Sequence, residues 1–105
     1  MTKKRILTGD TPTGRLHLGH YVGTLENRVK LQDEYETFII LADLHALTTL
    51  KDTPQVISDH TLQTAMDNLA AGLDPDKVTI FTESSVPAIY ELAASLSTYV
   101  THNEA

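Results

Sequence analysis

Two histidines three positions apart are the residues of this chain best suited to phosphate chemistry. His17 and His20 belong to the run Gly-Asp-Thr-Pro-Thr-Gly-Arg-Leu-His-Leu-Gly-His, which occupies positions 9–20. Side chains three residues apart on a helix share one face, so both imidazoles can reach the same ligand. Preorganised N–H donors can stabilise the charge that grows in a phosphoryl-type transition state. This spacing therefore favours transfer chemistry at a phosphate.

The backbone around these histidines is also typical of a phosphate-binding segment. Gly14 and Gly19 have no side chain to keep a ligand away from the main chain. Amides in the first turn of a helix have no partner within the helix and lie at its positive end. Both properties suit phosphate oxygens, and the segment follows a predicted strand, where open α/β sheets bind ligands.

The hydrophobic pattern predicts three strands that alternate with three helices. The predicted strands are residues 5–8, 37–42 and 78–81, and the helical patterns cover residues 18–33, 54–72 and 85–100. Strands joined by right-handed helical crossovers form a parallel sheet. We therefore expect an α/β fold of order β-α-β-α-β-α, which amounts to half of a doubly wound, three-layer sheet.

Several local expectations accompany this fold. Thr53 is predicted to cap the second helix, with Pro54 at its first position. The apolar stripes at 62–73 and 89–100 are interpreted as core packing, and residues 37–42 as a central strand covered on both faces. Glu83 and the carboxylates of residues 33–36 are interpreted as solvated surface groups.

Composition limits the possible function. The 105 residues carry a formal net charge of -6 and no cysteine. The negative charge argues against this segment gripping a polyanion by itself, and the lack of cysteine fits a reducing compartment. We find no export signal and no apolar run of about 18 residues that could cross a membrane. A cytoplasmic location, without membrane contact, is expected.

The motif resembles a known family. His17-Leu18-Gly19-His20, within Pro-Thr-Gly-Arg-Leu-His-Leu-Gly-His-Tyr, is similar to the His-Ile-Gly-His signature of the class I aminoacyl-tRNA synthetases in its tryptophan and tyrosine branch. The segments Ala-Asp-Leu-His-Ala-Leu-Thr at 42–48 and Phe-Thr-Glu-Ser-Ser-Val-Pro at 81–87 resemble the tryptophanyl-tRNA synthetases. Three separated motifs in the same order make the resemblance specific, and it covers nearly the whole chain.

The resemblance implies a fold, an activity and a set of roles. It implies the first half of a Rossmann-like, HUP-type nucleotide-binding domain that activates tryptophan with ATP and Mg²⁺ to tryptophanyl-adenylate and transfers it to tRNA. A homodimer is also implied. The implied site residues are the catalytic His17 and His20, the ATP-facing Thr11, Thr13, Gly14 and Gly19, and the amino-acid pocket residues Leu7, Gly9 and His45.

The chain also departs from the family pattern. The second signature, Lys-Met-Ser-Lys-Ser, is not found in residues 1–105, nor are the second half of the nucleotide-binding domain and the helical domain that reads the tRNA anticodon. We therefore interpret residues 1–105 as the N-terminal half of the catalytic domain, with doubtful activity by itself and with most tRNA contacts elsewhere.

Other interpretations remain open at this point. The histidine pair could bind a metal together with His45, His60 or His102, although metal sites on helices more often use i, i+4 spacing. The same pair could have a purely structural role. The chain could be a nucleotide-binding or interaction module without turnover, or another nucleotidyltransferase that uses His-x-Gly-His.

Overall fold

Three strands and four helices make up the described part of the chain. The computed structural model describes residues 3–12, 19, 21–50 and 52–100. The strands are β1 (Arg5–Asp10), β2 (Glu36–Leu41) and β3 (Val78–Thr82). The helices are α1 (Glu26–Leu31), α2 (Leu47–Leu50), α3 (Gln55–Ala70) and α4 (Ala88–Leu96). A π-helical turn, Tyr21–Leu25, leads into α1, and a 3₁₀ turn, Glu83–Ser85, follows β3.

The strands form a parallel sheet in the order β1-β2-β3. Arg5 pairs with Glu36 at one end of the first ladder, and Asp10 pairs with Leu41 at the other. In the second ladder Leu41 pairs with Thr82. The predicted α/β class, the parallel sheet and the central position of β2 are therefore confirmed, and the carboxyl ends of all three strands lie at one edge.

The core lies between one face of this sheet and the helices α1 and α3. Ile39 and Leu41 of β2 form a buried cluster with Leu73 and Val78. Val29 of α1 and Ala65 of α3 pack against this cluster. Both helices thus cover the same face, as successive right-handed crossovers in one direction require. The described residues therefore form two of the three predicted layers, which are the sheet and the helices on one of its faces.

The end of α3 shows why the chain turns back towards β3. Gly72 has φ 119°, a conformation that residues with a Cβ rarely adopt. The amide of Gly72 donates to the carbonyl of Leu69 at 3.1 Å, and the amide of Leu73 donates to that of Asn68 at 3.3 Å. This is a Schellman motif, which satisfies the last carbonyls of the helix. Leu73, the next residue, is buried in the core.

The prediction that the apolar stripe of α3 packs in the core was wrong for part of that stripe. Leu62, Met66 and Leu69 are 62%, 48% and 41% exposed. The buried residues of α3 are instead Ile57, Thr64 and Asn68. The polar pair can face the sheet because its hydrogen bonds are made inside the protein. Leu62 and Leu69 line an apolar groove of about 1000 Å³ beside β3.

Two other local expectations changed. The stripe at 89–100 is not core packing in the described structure, because α4 has no buried residue. The predicted N-cap of α3 also differs, since Pro54 and not Thr53 occupies the N-cap position. Among the helices described, none combines the length and the apolar character needed to span a bilayer.

Candidate functional site

The candidate site is the edge of the sheet at which the three strands end. Asp10, Leu41 and Thr82 are aligned there by the register of the two ladders. The amide of Ala42 extends the first ladder by donating to the carbonyl of Asp10 at 2.8 Å. Ligands of open α/β sheets bind outside such carboxyl ends, because the loops there converge on one crevice.

A buried arginine organises the end of β1. The Nη1 and Nη2 atoms of Arg28 donate to the two carboxylate oxygens of Asp10 at 2.8 and 3.0 Å. Nη1 also donates to Oδ1 of Asn68 at 3.0 Å, and Nη2 donates to Oγ1 of Thr8 and to the carbonyl of Gly9, both at 3.2 Å. The two charged side chains are only 5% and 11% exposed. The planar guanidinium group of arginine can donate to both oxygens of one carboxylate, which the compact ammonium group of lysine does not match.

This network connects three parts of the fold. Asp10 ends β1, Arg28 lies in α1, and Asn68 lies in α3, where its Nδ2 donates to Asp10 at 3.2 Å. Asp10 directly precedes segment 11–20, and Arg28 lies eight residues after that segment, beyond the turn that leads into α1. This pair was not predicted from the sequence, in which the only signal was an arginine among the apolar positions of a predicted helix.

A second set of contacts connects the loops after β2 and β3. The Asp43 carboxylate accepts hydrogen bonds from the amide of Ser84 at 3.0 Å and from its hydroxyl at 2.5 Å. The Glu83 carboxylate accepts from the amide of His45 at 3.1 Å, and its second oxygen lies 2.7 Å from Nδ1 of that ring. Four hydrogen bonds thus hold the two loops together at the edge of the sheet.

Glu83 is therefore not the solvated group that the sequence suggested. It is 4% exposed, because the loop after β2 and the 3₁₀ turn enclose it. Tyr90 of α4 lies near the same carboxylate. Partial desolvation raises the pKa of the Tyr90 phenol, and a hydrogen bond to Glu83 and the negative charges of Glu83 and Asp43 raise it further.

The predicted site residues are placed as follows. Thr13, Gly14, His17 and His20 lie outside the described residues. Thr11 follows β1 directly and is exposed, and Gly19 is helical and exposed. His45 follows β2, with a side chain that is 67% exposed.

Leu7 and Gly9 share a face of β1. Alternation along the strand places them opposite the face on which Thr8 and Asp10 contact Arg28. Leu7 is 67% exposed there. A Cβ on Gly9 would lie 2.6 Å from Cγ2 and 2.8 Å from the carbonyl oxygen of Ile40, so β2 itself requires a glycine at this position.

The metal alternative receives no support from the described side chains. Residues 3–12, 19, 21–50 and 52–100 contain no group of three or more histidines and carboxylates that could hold an ion. Among the described residues, His45 contacts Glu83. The buried Nδ1 of His60 has no hydrogen-bond partner among the described residues, and His102 lies outside them.

Comparison with known proteins gives the family. A family model described as tRNA synthetases class I (W and Y) matches residues 2–105. The tryptophan–tRNA ligase of Borreliella burgdorferi is 50% identical over 103 residues, which is 96% of this chain and 29% of that protein. The enzyme of the same name from Lactococcus lactis is 55% identical over 95 residues, or 89% of this chain and 28% of that protein.

Solved structures agree in fold. Tryptophanyl-tRNA synthetase from Campylobacter jejuni, complexed with ADP and tryptophan, matches with a TM-score of 0.86 and 31% identity over 94% of this chain and 31% of that chain. Tyrosyl-tRNA synthetase from Archaeoglobus fulgidus, complexed with L-tyrosine, matches with a TM-score of 0.80 and 28% identity over 94% of this chain and 32% of that one.

The sheet edge, the signature segment after β1 and these matches define one class of protein. The chain belongs to the class I aminoacyl-tRNA synthetases of the tryptophan and tyrosine family. Within that family, the relatives at 50–55% identity are named as tryptophan–tRNA ligases. The chain spans between a quarter and a third of the length of these relatives.

Proposed function

We propose that this chain carries part of the active site of a tryptophan–tRNA ligase. Such an enzyme joins the carboxylate of tryptophan to the α-phosphate of ATP, releases pyrophosphate and then transfers the amino acid from the adenylate to tRNA. The observation that carries the proposal is the identity of 50–55% with ligases of that name across most of the chain. The fold and the edge of the sheet are compatible with it.

The site residues are assigned by the same reasoning. His17 and His20 would donate to the phosphates as negative charge develops on them, and Thr11, Thr13, Gly14 and Gly19 would face ATP. Their segment follows Asp10, whose carboxylate is neutralised by Arg28 and therefore repels an incoming triphosphate less than an unpaired carboxylate would. The tryptophan pocket would include Leu7, Gly9 and His45.

Mg²⁺ would accompany ATP. Its charge offsets that of the triphosphate, and the ion usually keeps phosphate oxygens and waters as ligands. The described residues contain no group of three or more histidines and carboxylates for it, so phosphate oxygens are its proposed principal ligands. The residues of this chain would bind and orient the nucleotide.

Partners and location complete the proposal. We place most contacts with tRNA(Trp) outside these residues, because the net charge of -6 offers little attraction to a polyanion. A homodimer is proposed, since edge strands favour association and the family resemblance implies it. The absence of cysteine fits the reducing cytoplasm. Light scattering at several protein concentrations would test the dimer.

The decisive assay is tryptophan-dependent exchange of pyrophosphate into ATP, measured on the full-length gene product that contains these residues. His17→Ala and His20→Ala should each lower kcat by about 100-fold or more while changing ATP affinity little, because the donors act on the transition state. His60→Ala, on α3, is the matched control and should retain exchange.

Other outcomes would replace the proposal. Exchange that depends on another substrate would indicate a different nucleotidyltransferase. Calorimetric binding of ATP without any exchange would indicate a binding module. A loss of ATP affinity equal to the loss of kcat in the histidine variants would contradict the role assigned to the two imidazoles.

A further inference from the structure

Both carboxylate oxygens of Glu83 contact His45, and the Tyr90 phenol lies beside the same carboxylate. Oε1 accepts a hydrogen bond from the backbone amide of His45 at 3.1 Å, and Oε2 lies 2.7 Å from Nδ1 of the imidazole. The Glu83 side chain is 5% exposed, whereas that of His45 is 67% exposed. A buried carboxylate therefore holds the backbone and the ring of an outward-facing histidine.

This arrangement selects one state of the ring. A carboxylate offers only acceptors, so Nδ1 carries the hydrogen that bonds to Oε2. In the neutral imidazole the lone pair then belongs to Nε2, the nitrogen that Glu83 does not engage. An exposed side chain loses rotamer freedom when its ring is held, and the short contact to a buried group offsets that loss. His45 is thus presented with a fixed orientation and tautomer.

We propose that Glu83 is a positioning residue that holds the His45 imidazole in its Nδ1-H tautomer at the amino-acid pocket, an inference that rests on the function proposed above. Glu83 acts through His45 and does not itself touch substrate. Removing it frees the ring to rotate and to exchange tautomers, which weakens binding of tryptophan without changing the nucleotide side of the site.

The neighbouring contact provides the structural control. Asp43 and Ser84 already join the same two loops through bonds of 3.0 and 2.5 Å. Ser84→Ala removes the hydroxyl from that contact and leaves Glu83 and His45 unaltered. If connecting the loops were the whole role of Glu83, Ser84→Ala, which removes one of the two bonds between Asp43 and Ser84, would also raise the KM for tryptophan.

The experiment uses pyrophosphate exchange by the full-length gene product. Glu83→Ala should raise the KM for tryptophan about tenfold, with the KM for ATP changed less than about twofold, which corresponds to loss of one charge-assisted hydrogen bond at one substrate. Glu83→Gln should have a smaller effect than Glu83→Ala. The amide oxygen can still accept one of the two hydrogen bonds, whereas the NH₂ group faces the second donor and cannot accept from it. Ser84→Ala should leave the KM for tryptophan near that of the parent.

A double variant shows whether Glu83 acts through His45. Glu83→Ala combined with His45→Ala should be no worse than His45→Ala by more than about twofold, because interacting residues are not additive. An additive double variant would overturn the proposal. So would an unchanged KM for tryptophan in Glu83→Ala, or an equal rise in the KM for ATP.

Nitrogen NMR of the His45 ring measures its tautomer directly. This measurement does not depend on activity, and on the parent protein it needs no variant. The parent should show the Nδ1-H tautomer, and Glu83→Gln should show a mixture. Observation of the Nε2-H tautomer in the parent would overturn the positioning role alone. Parent protein without tryptophan-dependent exchange would instead refute the proposed function, and this inference with it.

Discussion

Replacing Arg28 by methionine tests how strongly the network at the end of β1 stabilises the fold. Methionine keeps the length of the aliphatic stem, so the change removes charge and hydrogen bonds more than volume. The five donated bonds to Asp10, Asn68, Thr8 and Gly9 are lost together. Asp10 keeps the 3.2 Å bond from Asn68 but loses its cation in a site where its side chain is 11% exposed.

The expected magnitude follows from this burial. Removing one partner of a buried ion pair typically costs about 3–5 kcal/mol, because the remaining charge is left desolvated. An exposed pair contributes about 0–1 kcal/mol. Arg5 and Glu36 form such a pair, with a distance of 2.9 Å and side chains that are 71% and 43% exposed. Arg28→Met should therefore lower the free energy of unfolding several times more than Arg5→Met.

The assay is urea unfolding followed by circular dichroism, with the double variant Arg28→Met/Asp10→Asn as a further arm. Neutralising Asp10 removes the charge that Arg28→Met leaves behind, so the double variant should be more stable than the sum of the two single effects predicts. Equal losses for Arg28→Met and Arg5→Met would refute the reasoning. Strict additivity in the double variant would refute the claim that the pair acts as a unit.

Two further predictions concern Gly9 and Tyr90. Gly9→Ala should destabilise the chain by about 1–3 kcal/mol in urea unfolding, since its Cβ would approach the Ile40 carbonyl oxygen to 2.8 Å. A Cβ on Gly23 meets no atom of the described residues within 4 Å, so Gly23→Ala is the control, and similar losses at both glycines would contradict this reasoning. The raised pKa of Tyr90 means that its proton is held more tightly in the folded chain than in the unfolded one. Its contribution to stability should be complete below the ordinary tyrosine pKa of 10.0 and decline as pH rises through the raised value. Near-ultraviolet titration measures the pKa of Tyr90, and Tyr90→Phe identifies its transition. Glu83→Gln should lower this pKa, and an unchanged pKa would show that Glu83 does not contribute.

The order of the elements could be predicted from the sequence, and a motif within it predicts the chemistry of the site. Strand and helix periods are local, so the predicted strands differ from β1, β2 and β3 by no more than two residues at either end. The parallel arrangement followed because helices join the strands. The motif at 9–20 indicated phosphate chemistry, although four of its proposed site residues lie outside the described part of the chain.

Tertiary packing sets which side chains are buried and which of them contact one another. A helical period shows which residues share a face, but it does not show which face meets the sheet, so Leu62 was assigned to the core in place of Asn68. The partner of Arg28 is set by the packing of α1 on the sheet, and that of His45 by the register of β2 with β3, which bring together residues 18 and 38 positions apart. Charged residues are usually exposed, and only the packing of two loops could show that Glu83 is buried.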